Sequence, residues 1–372
     1  MAINVVGLDI GSTAVRGVEI KAGKKGRLNL LKYHEVALPH GAVSRGEVLD
    51  PEIVSSALKK LWSDGKFKSK NVVLGTGNQR ILVRDLSLPK MSLTHIRESL
   101  PFHVQNILQI PLEDSVLDFY PVSESSGEQG ISINGLLIAA EKSEILGSIR
   151  ATEQAGLTPV DVDLIPFALN HLLVQRPKLA GTIALVSIGG TTTSVIITNN
   201  GVPLFVRVIP AGGVDLTQGL MSALEITYEK AENLKRVLRF SLATTDDDDE
   251  TNLVLAPCAC PECLADFANA KDPRAIEVLQ SVTGELLSSL RSTVNYFNNT
   301  RSVEPVAKIL LTGGGAQLSG LAKSLAEMTD VPVTIVDPFE SISISRQLKS
   351  NQSPIGDASF AVALALAHRS QK

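Results

Sequence analysis

The amino-acid sequence predicts an α/β protein of two domains, with a small α+β unit inserted in the first. The chain has 372 residues, which suits two domains with sizeable cores. Predicted strands and helices alternate along most of it. A strand, a turn of small residues and a second strand occur near the start and again near the middle. Such an internal repeat indicates two halves built on one plan.

Composition argues against several classes of function. The net charge is -4 at pH 7, so bulk electrostatics give no reason to expect nucleic acid or a membrane surface as a partner. No apolar run reaches the roughly 18 residues that a membrane span needs, and the start of the chain lacks the features of a signal peptide. The 3 cysteines fall in one short segment and make no disulfide framework. We therefore expect a cytoplasmic protein.

The first motif, VGLDIGSTAVRGVEI, predicts two strands joined by a tight turn. Small residues in such a turn direct backbone N–H groups at one point, which suits an anion. The motif adds hydroxyl donors, a cation, and a carboxylate that could hold magnesium through water. The candidate residues are Asp9, Gly11, Ser12, Thr13 and Arg16. The alternative is an ordinary surface hairpin, because short glycine motifs are weak evidence.

The rest of the first domain begins with a helix. Asp50 suits its N-cap and Pro51 its first turn, and Gly65 ends it. Residues 71–74 and 80–88 then read as strands. The opening of the chain is therefore predicted as strand, strand, helix, strand.

The character of the chain changes near residue 85, where we expect a small inserted α+β unit. Its first helix must bend or be interrupted at Pro101. The predicted elements are a helix over 92–109, strands 116–122 and 135–140 on either side of a polar loop 123–130, a helix 142–154 and a final strand 160–164.

The second motif, TIALVSIGGTTTSVIIT, follows a predicted helix over 166–175. Alignment of the two motifs places Gly189, Gly190 and Thr191 on Gly11, Ser12 and Thr13. A repeat is harder to obtain by chance than either copy alone. Two such turns could face each other around one phosphate chain.

A pair of glycines, Gly212 and Gly213, precedes a predicted long helix over 214–239. Glu232 and Lys235 are three residues apart in this helix and share a face. From the residues alone, a solvated surface salt bridge is the favoured interpretation of this pair.

Glycines also follow a later strand. Strand 308–312 runs into Gly313, Gly314 and Gly315, a helix 318–328 comes next, and 333–336 reads as a strand. A strand, three glycines and a helix start allow backbone to come very close to a ligand.

The segment 244–273 is acidic and carries Cys258, Cys260 and Cys263. Three thiolates fall one short of the four ligands of a structural zinc site. A loop with reduced thiols is therefore the favoured interpretation, with a zinc site as the alternative.

Taken in order, these motifs resemble the actin-like ATPase superfamily of actin, Hsp70 and sugar kinases. The inserted unit, with RDLSLPKMSLTHIRESLPFHVQNILQIPLEDSVLDFYPV and NGLLIAAEKSEILGSI, and the later TGGGAQLSGLAKSLAEMTDVPV resemble the PilM family of type IV pilus proteins and its relative, the division protein FtsA. The resemblance implies an actin-like (ribonuclease H-like) fold of two domains with an SHS2-like insertion.

The resemblance also assigns roles to individual residues, with ATP or ADP and Mg²⁺ as the implied cofactors. Phosphates are implied at Asp9, Gly11, Ser12, Thr13 and Arg16, at Gly189, Gly190, Thr191 and Thr192, and at Gly212 and Gly213. Glu232 and Lys235 match the pair that contacts ribose and adenine, and Gly313, Gly314 and Gly315 match the adenosine motif. Asp9 is the implied metal residue.

The implied domain bounds follow the same alignment. Residues 1–84, 162–180 and 355–372 make up the first actin-type domain. The inserted unit takes 85–161, and the second actin-type domain takes 181–354 with the cysteine-bearing loop.

The chain departs from the superfamily at the second motif, where Ser187 stands in place of the usual aspartate. Fewer groups are then left to order magnesium or an attacking water. Between Val160 and Asn170 no Gln or Glu stands out, and Asp163 is interpreted as a capping or surface residue. We expect nucleotide binding with slow hydrolysis or none, which leaves open whether the protein is an enzyme.

The favoured function is a cytoplasmic assembly protein that binds the N-terminal tail of a PilN-type single-span inner-membrane protein and reaches the membrane only through it. Self-association is possible, and no nucleic acid is expected. The alternatives are an actin-fold ATPase or kinase and an FtsA-like division scaffold. FtsA proteins carry a C-terminal membrane helix, whereas this chain closes with ALALAHRSQK after a core-like helix, which favours the pilus function.

Overall fold

The computed structural model describes eight stretches of the chain, residues 5–22, 28–108, 110–127, 130–240, 272–301, 303–340, 342–344 and 357–369. Cys258, Cys260 and Cys263 lie outside the described residues. Both interpretations of their segment, a reduced loop and a zinc site, therefore stay predictions.

Strands make up most of the first half of the chain. In chain order they are β1 (Val6–Ile10), β2 (Ala14–Ala22), β3 (Leu28–Ala37), β4 (Val43–Ser44), β5 (Glu47–Val48), β6 (Asn71–Thr76), β7 (Leu82–Pro89), β8 (Ser115–Gly127), β9 (Gly130–Glu141), β10 (Thr158–Leu164), β11 (Thr182–Ile188), β12 (Thr193–Asn199), β13 (Val202–Ile209), β14 (Lys308–Thr312), β15 (Val333–Ile335) and β16 (Ile342–Ile344).

Helices connect and cover these strands. In chain order they are α1 (Pro51–Gly65), α2 (Leu93–Val104), α3 (Lys142–Gln154), α4 (Ile165–Asn170), α5 (Gly213–Leu224), α6 (Tyr228–Val237), α7 (Pro273–Thr300), α8 (Leu321–Thr329) and α9 (Ala361–Arg369). As predicted, the Asp50 carboxylate caps α1 by accepting from the backbone N–H of Ile53 at 3.0 Å. No helix of the described stretches is long and apolar enough to cross a membrane.

The two main sheets share one strand order. Written in matching directions, the first runs β16-β3-β2-β1-β6-β10 and the second runs β13-β12-β11-β14-β15. The first sheet differs by its additional edge strand, β16. In each, an antiparallel meander of three strands is extended by parallel strands beside its first member. The halves that the repeated motif predicts are therefore present as two sheets of matching topology.

One apolar cluster is shared by the two sheets, with Val18 from the first and Leu185 from the second, and each sheet has a further cluster of its own. In the first, β1 lies directly against α9, since a Cβ atom on Gly7 would overlap the Ala363 carbonyl oxygen. The alternating Ala and Leu residues of α9 are almost all fully buried, as expected of a core helix. In the second, the apolar face of α7, with Leu279, Leu287 and Phe297, packs beneath α5 and the sheet.

A third sheet, β7-β9-β8, and α2 form the inserted unit around a separate small core that includes Leu88, Ile96 and Phe119. The predicted polar loop over 123–130 is wrong, because β8 extends to Gly127 and β9 begins at Gly130, with those two glycines paired. The predicted helix over 92–109 ends at Val104, and it includes Pro101 without a break.

The final strand predicted for the inserted unit, 160–164, belongs to another sheet. It is β10, which runs parallel to β6 in the six-stranded sheet and places Leu164 opposite Thr76. The prediction failed because the sequence of a short strand does not indicate which other strand it pairs with. The other domain bounds stay a prediction.

The predicted long helix over 214–239 is two helices. Glu225 takes a left-handed backbone conformation with φ 55°, which ends α5. The Thr227 side chain then caps α6 by accepting from the backbone N–H of Lys230 at 3.4 Å. This break lets α6 fold back beside α5.

Candidate functional site

A cavity of about 1020 Å³ opens between the two main sheets, and all the residues predicted to bind nucleotide line it. They come from both sheets and from the helices that follow the second. The lining includes Asp9, Gly11, Ser12, Thr13, Arg16, Gly189, Gly190, Thr191, Thr192, Gly212, Gly213, Glu232, Lys235, Gly313, Gly314 and Gly315. The sequence thus predicts which residues meet in one cleft.

The two repeated turns are built alike. The backbone N–H of Gly11 donates to the Ala14 carbonyl oxygen at 3.1 Å, and that of Gly189 donates to the Thr192 carbonyl oxygen at 2.9 Å. Each bond closes a four-residue turn between two antiparallel strands. Both turns line the cavity.

The two turns face each other across the cleft. A Cβ atom on Gly190 would overlap the Ser12 hydroxyl oxygen and would lie 3.2 Å from the Thr13 methyl group. The turns are thus in van der Waals contact at this point, and glycine is the residue that permits it.

The glycine pair ties α5 to the second turn. A Cβ atom on Gly212 would lie 2.6 Å from the carbonyl oxygens of both Gly189 and Gly190. The backbone N–H groups of Gly213 and Val214 donate to those same oxygens at 3.0 and 2.7 Å. The N-terminus of α5, with its partial positive charge, is therefore fixed at the edge of the cleft.

Glu232 and Lys235 form a partly buried pair rather than a solvated surface bridge. The Lys235 ammonium lies 2.6 Å from the Glu232 carboxylate and also donates to the Gly213 carbonyl oxygen at 3.1 Å. The Thr217 hydroxyl donates to Glu232 at 2.8 Å. This network holds both side chains against α5, with the carboxylate and the ammonium at the cleft wall.

The three later glycines let β14 lie against β11. Gly313 has φ 88°, a left-handed conformation that favours glycine, and a Cβ atom there would overlap the Ile188 carbonyl oxygen. A Cβ atom on Gly315 would overlap the Ile188 side chain, whereas one on Gly314 would make only an ordinary contact, 3.8 Å from the Ser359 Cβ atom. The close packing of these glycines against Ile188 therefore shapes the floor of the cleft.

Asp9 is the acidic group of the cleft that stands closest to the first turn. Its carboxylate lies 3.8 Å from the Arg16 guanidinium, which is held by Glu35 at 2.5 Å. Burial raises the pKa of Asp9 to about 6, although the Arg16 charge acts to lower it. A cation beside Asp9 would favour the ionised form.

Magnesium would need ligands besides Asp9. Within the described stretches, no group of three or more His, Cys, Asp or Glu residues is arranged to hold a metal ion. One carboxylate plus waters and phosphate oxygens is nevertheless an ordinary magnesium coordination. The donor set of the cleft therefore fits a metal that arrives with a phosphate.

Hydroxyl groups occupy the place of the usual second aspartate. Ser187 is paired with Ser194 on β12 and with Thr312 on β14, and all three are buried. Asp163 is not among the residues that line the cavity, and its carboxylate is bound by Arg369 at 2.6 Å. Of the predicted capping or surface role, the surface part is corrected to a largely buried ion pair, while the carboxylate also accepts from the backbone N–H of Leu164, just before α4, at 2.9 Å.

Sequence reasoning missed residues of the loop before α1. His40 and Gly46 line the cavity, and the backbone N–H of Arg45 donates to the Thr191 hydroxyl at 2.9 Å. The segment reads LPHGAVSRGEV. Its glycines indicate a loop, but nothing in it indicates which side of the cleft the loop contacts.

The sequence profile of the family described as type IV pilus assembly protein PilM matches residues 7–258 and 269–371. The chain belongs to the PilM family. A solved structure described as the PilM-PilN type IV pilus biogenesis complex is 26% identical, with a TM-score of 0.81 over 100% of both chains. The family that the motifs and the inserted unit indicate is therefore confirmed.

More distant relatives agree with the fold. The cell division protein FtsA of Bacillus subtilis is 22% identical over 90% of this chain and 78% of its own length. The ethanolamine utilization protein EutJ of Carboxydothermus hydrogenoformans, at 13% identity, gives a TM-score of 0.54 over 98% of this chain and 88% of its own. The predicted actin-like fold is confirmed.

Proposed function

We propose that this PilM-family protein is a pilus assembly protein that holds ATP or ADP between its two actin-type domains. The contact between the two repeated turns, at Gly190 and Ser12, is the observation that carries this proposal. It places two sets of turn residues with hydroxyl groups on one cavity. Turns of this kind favour phosphate, and the N-terminus of α5 adds its partial positive charge at the edge of the cleft.

The phosphates would lie among Ser12, Thr13, Thr191 and Thr192, near the N-terminus of α5. Hydroxyl groups and backbone N–H groups there donate hydrogen bonds to phosphate oxygens, and Arg16 adds positive charge beside the first turn. A magnesium ion, when bound, neutralises phosphate charge, and Asp9 would hold it through water.

The nucleoside would lie farther along the cleft. Glu232 offers a carboxylate acceptor for ribose hydroxyls, and the Lys235 network fixes its position. Gly314 lines the cavity without a side chain, so a planar base could lie against its backbone. These assignments predict that Glu232→Gln weakens binding of ATP more than binding of inorganic triphosphate.

Slow hydrolysis or none is the expected behaviour. A catalytic site for phosphoryl transfer needs a group that positions the attacking water over the last phosphate. Ser187 is neutral, and Asp163 is engaged by Arg369 outside the cleft. An active ATPase or kinase is the alternative, and turnover near 1 per second, the scale of kinases, would favour it.

The partner would be the cytosolic N-terminal tail of a PilN-type inner-membrane protein. Support comes from the similar solved structure, which is described as a PilM-PilN complex. Through this tail the protein would reside at the inner face of the cytoplasmic membrane, without contacting lipid itself. Self-association of the chain remains part of the proposal as a further assembly step.

A peptide-binding experiment tests the partner. Fluorescently labelled tails of single-span inner-membrane proteins are titrated with the full chain, with and without Mg-ATP. Saturable binding of a PilN-type tail, and none of a scrambled tail, is the expected result. Binding of FtsA partners instead would favour the division scaffold. We include this test because the chain has FtsA relatives, such as that of Porphyromonas gingivalis, which is 25% identical over 90% of this chain.

A further inference from the structure

The segment from Leu38 to Val48, here called the strap, joins β3 to the start of α1 and contacts the first turn of the cleft. The backbone N–H of Leu38 donates to the Thr13 carbonyl oxygen at 2.9 Å. The strap then turns back through the short β4–β5 pair, in which Val43 lies opposite Val48. One end of the strap is therefore fixed to the proposed phosphate site.

The strap also reaches the second domain. The His40 and Gln218 side chains approach within 3.0 Å, and the His40 ring lies 5.3 Å from the Tyr228 ring. At its far turn, the Arg45 backbone N–H donates to the Thr191 hydroxyl at 2.9 Å. The strap thus connects the two domains at the mouth of the cleft.

The bond at Thr191 links the strap to whatever binds in the cleft. The Thr191 oxygen accepts from Arg45, so the hydroxyl hydrogen is left to donate elsewhere. A phosphate oxygen that accepts this hydrogen would strengthen the bond from Arg45, since consecutive hydrogen bonds polarise one another. Arg45 itself has φ 49°, a left-handed conformation that an arginine adopts only when its surroundings hold it there.

The other side of the strap contacts the helix that follows the inserted sheet. Glu47 lies 3.8 Å from Arg80, and Arg80 is bound to Glu141 at 3.0 Å and to Glu144 at 3.3 Å. Glu141 ends β9, and Glu144 lies in the first turn of α3. Arg80 therefore joins the strap to the point where the inserted sheet passes into α3.

A second contact runs parallel to the Arg80 bridge. The Asn78 amide donates to the buried Glu144 carboxylate. A Cβ atom on Gly46 would lie 3.0 Å from the Asn78 side chain, so the strap packs directly on Asn78. A displacement of the strap would be transmitted to Glu144 through Asn78 and Arg80, because a buried carboxylate resists losing its partners.

We propose that the strap couples the nucleotide cleft to the inserted unit, so that nucleotide between the turns orders the strap through Thr191 and, through Arg80, the junction of β9 and α3. This inference rests on the proposed nucleotide site. It assigns a regulatory role to the strap and to Arg80. The inserted unit would then present its partner surface in a nucleotide-dependent way.

Hydrogen exchange of the full chain, with and without saturating Mg-ADP, tests the coupling. Added nucleotide should slow exchange in the strap and at residues 141–150 of the wild-type protein by at least about fivefold, a typical size for allosteric coupling. Arg80→Ala should clearly reduce the slowing at 141–150, because only the Asn78 contact then remains, but keep that of the strap, with nucleotide affinity within about threefold of wild type. Lys90→Ala is the matched control, since Lys90 pairs with Glu124 in the inserted unit at 2.6 Å without touching the strap.

The outcomes separate the two proposals. Wild-type protein that does not bind Mg-ADP in a parallel titration overturns the nucleotide site and the coupling together. Binding without slowed exchange at 141–150, or equal slowing in Arg80→Ala, overturns the coupling alone. If Arg80→Ala lowers the melting temperature by more than a few degrees, Glu47→Gln replaces it, because Glu47 is only half-buried and pairs with Arg80 from the strap side at 3.8 Å.

Discussion

Gly190 lies so close to Ser12 that a single added carbon atom would overlap the serine hydroxyl oxygen. Gly190 belongs to the second sheet and Ser12 to the first, so this contact measures how far the two domains have closed. The serine side chain can rotate away from an added Cβ atom, but the Thr13 methyl group would still lie only 3.2 Å from that atom. A side chain at residue 190 would therefore wedge the turns apart.

Gly190→Ala should weaken nucleotide binding at least about tenfold, or about 1.4 kcal/mol, measured by calorimetry. The reason is that the added methyl group separates the turns that would hold the phosphates. Gly284→Ala is the control: Gly284 lies within α7 with nothing near its Cβ position. That change should leave affinity unaltered and raise stability by about 0.5–1 kcal/mol. Equal nucleotide affinity in Gly190→Ala and wild type would contradict the proposed phosphate site.

Asp9→Asn should have opposite effects on stability and on metal-dependent binding. The folded-state pKa of Asp9 is raised from 3.8 to about 6. Its contribution to stability is thus fully present below pH 3.8 and is lost as pH rises through 6. At pH 7.5 the variant should be more stable without ligand by about 2–3 kcal/mol, measured by urea unfolding.

The effect of Asp9→Asn on Mg²⁺-dependent nucleotide binding is the second prediction for this variant. Because Asp9 would hold the ion, Asp9→Asn should lose the part of nucleotide affinity that depends on Mg²⁺, by about tenfold or more. Asp50→Asn is a control that keeps the cap of α1, since asparagine caps as well as aspartate. An unchanged effect of Mg²⁺ in Asp9→Asn would remove Asp9 from the metal site.

Ser187→Asp should raise the rate of ATP hydrolysis by at least about tenfold, because it restores a carboxylate where related phosphate motifs carry one. Ser187 is buried beside Ser194, so a carboxylate introduced there needs a nearby magnesium ion to offset the cost of burying its negative charge. Ser187→Asn matches the size without the charge and should leave the rate within about twofold. Phosphate release is the measurement, and equal rates in all three proteins would show that the missing carboxylate is not the cause of slow turnover.

Glu144→Gln should change how stability depends on pH. Burial raises the pKa of Glu144 to about 7, although the Arg80 charge acts to lower it. The folded state therefore holds the Glu144 proton more tightly than the unfolded state, and this contribution falls as pH rises from 4.5 through 7. Wild type should lose stability relative to Glu144→Gln across that range in urea unfolding. A constant difference between wild type and Glu144→Gln would place the titration elsewhere.

The repeated turns could be predicted because both the conformation and the chemistry reside in adjacent residues. Gly11 and Gly189 each start a turn whose glycine, hydroxyl residues and flanking strands are contiguous. The same holds for Gly313, where a left-handed backbone requires glycine. Local chemistry of this kind is legible in the sequence, and with the inserted unit it was enough to indicate the family.

Contacts between distant segments could not be predicted. Nothing near Arg45 indicates that its N–H reaches Thr191, 146 residues away. The pairing of β10 with β6 and the break of the long helix at Glu225 depend on tertiary packing, which overrides local periodicity. The strap was missed for the same reason.

Nucleotide titration of the purified, nucleotide-stripped chain tests the central claim most directly. Calorimetry with ATP and ADP in the presence of Mg²⁺ should show one site per chain, weakened in both Gly190→Ala and Asp9→Asn and unaltered in Gly284→Ala. No detectable binding of either nucleotide by the folded wild-type protein at millimolar concentration would contradict the account.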